Sequence, residues 1–142
     1  MKFKKISKDE FVIKLQVGDD IKKSLLDFAG KNKIKLAFFQ GIGAVSESVL
    51  SFYNVKTENY EPEKLKVFGE ILDLTGSITR DIQNEPLVHA HMTISTKQHK
   101  AFGGHVEMGC IIGVTGEIYL KEFNKKILRK PEFKRHLKLM DI

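Results

Sequence analysis

Cysteine is almost missing from this chain: one in 142 residues. That excludes a disulfide framework and a thiolate zinc cluster, and it fits a reducing compartment. Tryptophan is absent, so ten Phe and three Tyr supply the aromatic filling. Proline occurs three times, and no Pro/Gly/Ser linker, repeat or low-complexity tract divides the chain. Residues 1–142 therefore read as one domain, long enough to bury about 68–70% of its unfolded surface without staples. No apolar run approaches the roughly 18 residues of a membrane span. The basic Met1–Lys5 runs into Lys8-Asp9-Glu10 rather than into the apolar stretch of a signal peptide. A cytoplasmic protein with no membrane partner is expected. Phosphate-binding and hydrolase signatures are missing too: there is no Walker loop, nucleophile elbow or DNA-reading helix pair. Gly41-Ile42-Gly43 lacks the third glycine and the helix opening of a dinucleotide fingerprint.

What is plentiful is positive charge. The net charge is +6 and the pI near 9.3, values that invite a nucleic-acid partner. The distribution narrows this. Residues 1–36 hold ten Lys against five acids, and residues 121–142 hold eight Lys/Arg against three. The stretch between them holds six basic against ten acidic residues. DNA contact is thus expected from the termini, not from a basic core.

Period-2 alternation at Phe11, Ile13 and Leu15 predicts a strand with one wet face. Gly18-Asp19-Asp20 offers a turn and an N-cap. Ile21, Leu25, Phe28 and Ala29 then repeat at helical spacing, with Lys22, Lys23 and Asp27 expected outward and an end near Gly30 or Asn32. Further strands are expected at Leu36–Phe39 (broken at Gly41-Ile42-Gly43), Ser48–Tyr53, Leu65–Leu74 with a bulge or close contact at Gly69, Leu87–Thr96, Gly109–Val114 and Glu117–Leu120. The basic tail from Asn124, interrupted at Pro131, fits no single pattern. One amphipathic helix against a curved, mostly antiparallel β-sheet makes an α+β fold.

The chemistry concentrates in three of five histidines. His89 and His91 stand at i and i+2, which puts both side chains on one face of a strand. A hairpin centred on Gln98 sets residue 91 opposite residue 105, so His105 joins them, unless Gly103-Gly104 hosts a bulge that turns it away. Three imidazoles without thiolates make the donor set of an open zinc or similar divalent site, with water or substrate completing the shell. Spacing alone reads first as the polar face of a half-wet strand, and only second as a metal site. Glu107 shares the face of His105 if that strand is regular, and there it reads as a carboxylate acceptor behind a ligand imidazole or as an acid/base on bound water. Glu70, beside Gly69, carries the same two readings. Cys110 lies in an apolar run and reads as a small buried hydrophobe. His99 is expected to decorate the turn and His136 to sit in a solvated basic patch. No lysine or arginine falls inside the histidine constellation along the chain.

Longer motifs surround these residues: Phe38-Phe39-Gln40-Gly41-Ile42-Gly43-Ala44-Val45; Gly69-Glu70-Ile71-Leu72-Asp73-Leu74-Thr75-Gly76-Ser77; Pro86-Leu87-Val88-His89-Ala90-His91; and Gly103-Gly104-His105-Val106-Glu107-Met108-Gly109-Cys110 with Thr115-Gly116-Glu117. Together they resemble the plants and prokaryotes conserved (PPC) domain over about residues 8–122. The resemblance implies a homotrimer and a metal site at His89, His91 and His105. It also implies a DNA-linked role, which in land plants comes through a fused AT-hook. No Arg-Gly-Arg-Pro hook exists here. The plant Gly-Arg-Phe-Glu-Ile-Leu stretch is Val67-Phe68-Gly69-Glu70-Ile71-Leu72, without its Arg.

Two functional classes follow. One is a stand-alone homotrimeric metal-binding module, with zinc as the expected ion, serving a regulatory role on DNA through the basic termini. The other is a metal-dependent enzyme or sensor for a small anionic molecule, or more plainly a scaffold that the metal stiffens. Composition does not separate catalysis from binding.

Overall fold

The computed structural model describes residues 1–132 and 137–142. Its elements run β1 (Lys2–Lys5), β2 (Glu10–Gln16), α1 (Ile21–Lys31), β3 (Ala37–Asn54), β4 (Asn59–Leu65), β5 (Gly69–Asp81), β6 (Pro86–Ser95), β7 (Ala101–Val106), β8 (Ile111–Glu122), β9 (Leu128–Glu132) and β10 (Leu137–Met140). The α+β expectation holds: one helix, among the described residues, lies against a predominantly antiparallel sheet. Strand order is β1-β2-β8-β3-β7-β6-β5-β9-β10, with β4 on β3. Because β3 also pairs with β5, the strands β3, β7, β6 and β5 close on one another, so the curvature goes further than an open sheet.

The helix follows from its sequence. Asp20 accepts from the Lys23 amide at 2.9 Å as the N-cap, and Asn32 ends the helix. Ile21, Leu25, Phe28 and Ala29 are fully buried against Ile13, Leu15, Ile78, Met92, Ile94 and Leu120. Each of the three larger helix side chains, Ile21, Leu25 and Phe28, contributes roughly 1.5–3 kcal/mol of hydrophobic stabilisation. Arg80 of β5, buried, donates to the carbonyls of Ile34 (2.7 Å) and Ala29 (3.1 Å), placing a cation at the helix C-terminus.

Several expectations need correction. Gly41-Ile42-Gly43 does not break a strand: β3 runs through it with register shifts against β5 and β8. A Cβ on Gly43 (φ +154°) would lie 2.1 Å from the Thr115 carbonyl and 2.8 Å from the Gly116 Cα, so glycines facing each other let β3 and β8 touch. The same pair lets the chain run on, so that Ile111–Glu122 form the single strand β8 where two, Gly109–Val114 and Glu117–Leu120, are expected; Gly109 and Cys110 precede it. Leu65–Leu74 is divided between β4 and β5; Gly69 opens β5 and the bulge falls between Ile71 and Asp73. The tail is a hairpin, β9–β10, that extends the sheet by running parallel to the end of β5. Lys22 points inward, not out to solvent. Among the described residues, no helix is long and apolar enough to cross a membrane.

Candidate metal centre

Alternation sorts the residues of β6. Val88, Ala90, Met92 and Ile94 enter the core, which leaves His89 and His91 on the opposite face. The β6–β7 pairing places His91 directly across from His105, with no register shift from His91↔His105 to Ser95↔Ala101. The turn closes as expected: Thr96 donates to Lys100 O (3.0 Å), and His99 sits in it with φ +58°. Gly103 and Gly104 do not bulge. They allow close approach instead, since a Cβ would lie 2.6 Å from Met92 O at Gly103 and 2.9 Å from Ser51 O at Gly104. Glycine here lets β7 lie tightly between β6 and β3 and delivers His105 to the face of His89 and His91.

The three rings converge. Centroid separations are 5.3 Å for His89–His91, 5.2 Å for His89–His105 and 5.4 Å for His91–His105. One ring nitrogen from each lies within 4.8 Å of the others. Nitrogens bound tetrahedrally at 2.0–2.1 Å stand about 3.4 Å apart. The required closure is therefore at most about 1.4 Å, which small χ rotations supply. His105 is buried, its ring packed against Tyr60 at 4.6 Å with a 35° tilt, and its Nδ1 has no hydrogen-bond partner. Burial pushes His89 and His105 down to about 4, helped at His89 by Arg129 and His91 and at His105 by Lys22. Both are neutral at pH 7 and carry a lone pair for a metal.

Around the rings lies a polar shell, part of which sequence spacing did not reveal. Glu107 stands 3.9 Å from His105 Nε2, so it does share that ring's surroundings. Its carboxylate accepts from Lys22 Nζ at 2.9 Å and Ser51 Oγ at 3.0 Å. Desolvation raises its pKa, but the Lys22 hydrogen bond and charge outweigh that and hold it below the usual carboxylate range. Lys22, 85 positions away, also donates to Val106 O at 3.0 Å. On the other side, Arg129 of β9 donates through Nη2 to His89 Nδ1 (3.0 Å) and Ser77 Oγ (3.4 Å). Two cations thus border the constellation, contrary to the linear reading. Only the fold brings them there, from α1 and from the tail.

Glu70 lies exposed on β5, outside the cluster. Cys110 is fully buried, its thiol donating to Val49 O at 3.2 Å and pushed up to about 11 by burial. It is a core residue and not a donor. His136 lies outside the described residues. A cavity of about 770 Å³ opens beside the cluster, bounded by His89, His91, Arg129 and Lys121 with Phe38 and Phe123.

The fold is shared with known proteins. The model of the Plants and Prokaryotes Conserved (PCC) domain matches residues 4–124. The chain belongs to this family. Among solved structures, a PPC protein of Pyrococcus horikoshii is 28% identical, covering 94% of this chain and 91% of that one, with a TM-score of 0.86. A Bacteroides thetaiotaomicron protein described as a candidate DNA-binding protein is 27% identical over 99% of this chain and 96% of that one, at a TM-score of 0.92. The metal-containing protein AF0104 of Archaeoglobus fulgidus (24% identical, full coverage of both chains, TM-score 0.86) shares the fold. The bifunctional protein GlmU of a Synechococcus is 31% identical over 86% of this chain, but the chain spans only 18% of that relative's length. Like the sequence resemblance, the match ends before β9, so Arg129 stands outside the matched PCC segment.

Proposed function

We propose that this PCC protein is a homotrimeric, metal-centred binding module with a regulatory role, in which His89, His91 and His105 hold one divalent ion per chain. The observation that carries this reading is the convergence of three ring nitrogens within 4.8 Å beside an open cavity. The orphaned Nδ1 of buried His105 fits a metal donor. Three imidazoles without thiolate suit zinc first among the divalent ions. A bound ion would supply an open coordination position and a positive charge that draws carboxylate or phosphate. Glu107, fixed by Lys22 and Ser51, is placed to steer the His105 ring. The trimer is supported by apolar surface on one protomer: Ile42, Phe68, Leu72 and Val114 are all more than half exposed, more than a lone chain leaves without use.

The test is elemental analysis of untagged protein together with light scattering. One zinc per chain, lost in His89→Ala and His105→Ala, and a trimer mass are the expected results. Absence of stoichiometric metal in protein grown with zinc would overturn the site, and a monomer mass the assembly.

A second reading, duplex DNA binding, is favoured by the basic terminal segments and by the description of the Bacteroides relative. Among the described residues, the basic terminal strands are far apart in the strand order. β1–β2 and β9–β10, which carry the terminal lysines, stand at its two ends, so phosphate contacts would be arrayed by the trimer. Such binding would weaken steeply with salt. Fluorescence anisotropy showing no salt-sensitive association at micromolar protein removes it.

A further inference from the structure

Charge at the histidine cluster does not balance. Glu107 is committed to Lys22. Arg129, only 7% exposed, forms no ion pair among the described residues. Its Nη1 donates to Lys138 O (3.0 Å), its Nη2 to His89 Nδ1 and Ser77 Oγ, and its buried Nε has no partner. A buried guanidinium without a carboxylate is costly. A divalent ion beside it would add to the uncompensated charge.

Lone-pair counting sharpens this. Arginine only donates, so the His89 lone pair lies on Nδ1 and its proton on Nε2. A neutral imidazole has no second lone pair. Metal on Nδ1 takes the electrons Arg129 now uses. Metal on Nε2 moves the proton to Nδ1, where it faces another donor. Either way, ligation by His89 and the Arg129–His89 hydrogen bond exclude each other.

Resting on the metal reading above, we infer that Arg129 is the anion-binding group of this site, and that its ligand is a carboxylate or phosphate carrying an apolar body. Metal loading frees the Nη2 donor of a residue that already lines the 770 Å³ cavity, and a planar guanidinium matches two oxygens of such an anion. Across the cavity, Phe38 and Phe123 meet edge to face at 5.9 Å, 48% and 40% exposed, with Met140 of β10 alongside. That apolar wall accommodates a hydrocarbon or aromatic body and gives a bare inorganic anion nothing to rest on. Metal and anion then bind with positive coupling. The hairpin β9–β10, beyond the family match, sets the specificity.

The experiment uses full-length protein, chelator-stripped or zinc-loaded. Phenyl phosphate, inorganic phosphate and benzyl alcohol are the probes, read by calorimetry, and zinc affinity is read by competition with a chromophoric chelator. Zinc-loaded protein is expected to bind phenyl phosphate at least tenfold tighter than either other probe, and tighter than stripped protein does. Arg129→Met should lose at least tenfold for phenyl phosphate while zinc affinity holds or rises, because a competing cation is gone. Arg129→Lys should fall between. If Arg129→Met does not fold by circular dichroism, the lysine variant, a point charge in place of a fork, carries the test with a loss of at least threefold. Stoichiometric zinc with unchanged phenyl phosphate affinity in the variants overturns the inference alone. So does zinc affinity that falls in a folded Arg129→Met, which would make the residue a mere support for His89. Inorganic phosphate bound as tightly as phenyl phosphate overturns the apolar body. Failure to bind zinc at all overturns the metal reading and this inference with it.

Discussion

Lowering the pH from 7 to 5 should destabilise the metal-free protein through one buried and one half-buried ring. His89 and His105 have folded pKa values of about 4, against 6.5 for the free side chain. Burial is the leading cause at both, seconded by the Arg129 charge at His89 and by Lys22 at His105. The sign follows from proton counting. As pH falls through 6.5 the unfolded chain takes up a proton on each ring and the folded chain does not, so unfolding gains free energy. The stabilising contribution is full above 6.5, shrinks as pH drops, and levels off below about 4. Integrating between pH 7 and 5 gives at most about 1.8 kcal/mol per ring. Discounting His89 for partial solvent contact leaves about 3 kcal/mol for the pair. For a chain of this size that lowers the melting temperature by roughly 6–12 °C. Thermal melts by circular dichroism of chelator-treated protein at pH 7, 6 and 5 read it directly. The window stays above the carboxylates Glu10, Asp19, Asp81 and Glu107, all held below their ordinary values. The double variant His89→Asn/His105→Asn should flatten the dependence. A wild-type melting temperature that does not move across this window, or an equal slope in the double variant, refutes the reasoning.

Other perturbations probe the fold and the polar shell. Phe28→Ala removes a ring with no exposed surface that meets Phe3 and Phe11 edge to face at 5.1 and 5.3 Å; a loss of about 3–5 kcal/mol in urea unfolding is expected. Gly43→Ala drives a methyl into the Thr115 carbonyl at a backbone angle unsuited to alanine, and should cost about 2–5 kcal/mol in the same assay. Lys22→Met removes the hydrogen bond and charge that hold Glu107 down and a charge that depresses His105. NMR titration should show both groups moving up in pKa, with roughly 1–2 kcal/mol lost from stability.

Local patterning exposed the parts of this fold that rest on local rules. The 3.6-residue repeat from Ile21 to Ala29 with Asp20 as its cap is where the helix lies, and two-residue alternation with a turn at Gln98 set the β6–β7 register. The failures are equally physical. Gly41–Gly43 and Thr115-Gly116 resemble breaks because glycine usually punctuates, but here each supplies the clearance the other strand needs. β1, β4 and the tail hairpin were not seen as strands. β4 is almost wholly exposed and β1 entirely so, so neither shows apolar alternation, and Pro131 falls in β9 beyond Leu128 and Arg129, the two residues that pair with β5, where only β10 flanks the strand.

The site divides along the same line. His89, His91, His105 and Glu107 belong to one hairpin and its continuation, so spacing and register brought them together before any fold was known. Lys22 and Arg129 carry no local signal, because only tertiary structure spans the 84 positions from Lys22 to Val106 and the 40 from His89 to Arg129. Their origin reinterprets the segregated charge. Residues 1–36 and 121–142 are the basic ends and the segment between them is acidic. Lys22 comes from the first end and Arg129 from the second, and both reach the histidines of the middle segment. One is neutralised by Glu107 and the other is not. The excess of lysine and arginine at the termini is therefore not wholly a surface property awaiting a polyanion. At least one positive charge from it is buried beside the histidine cluster, where a negative partner no larger than the adjoining cavity would balance it.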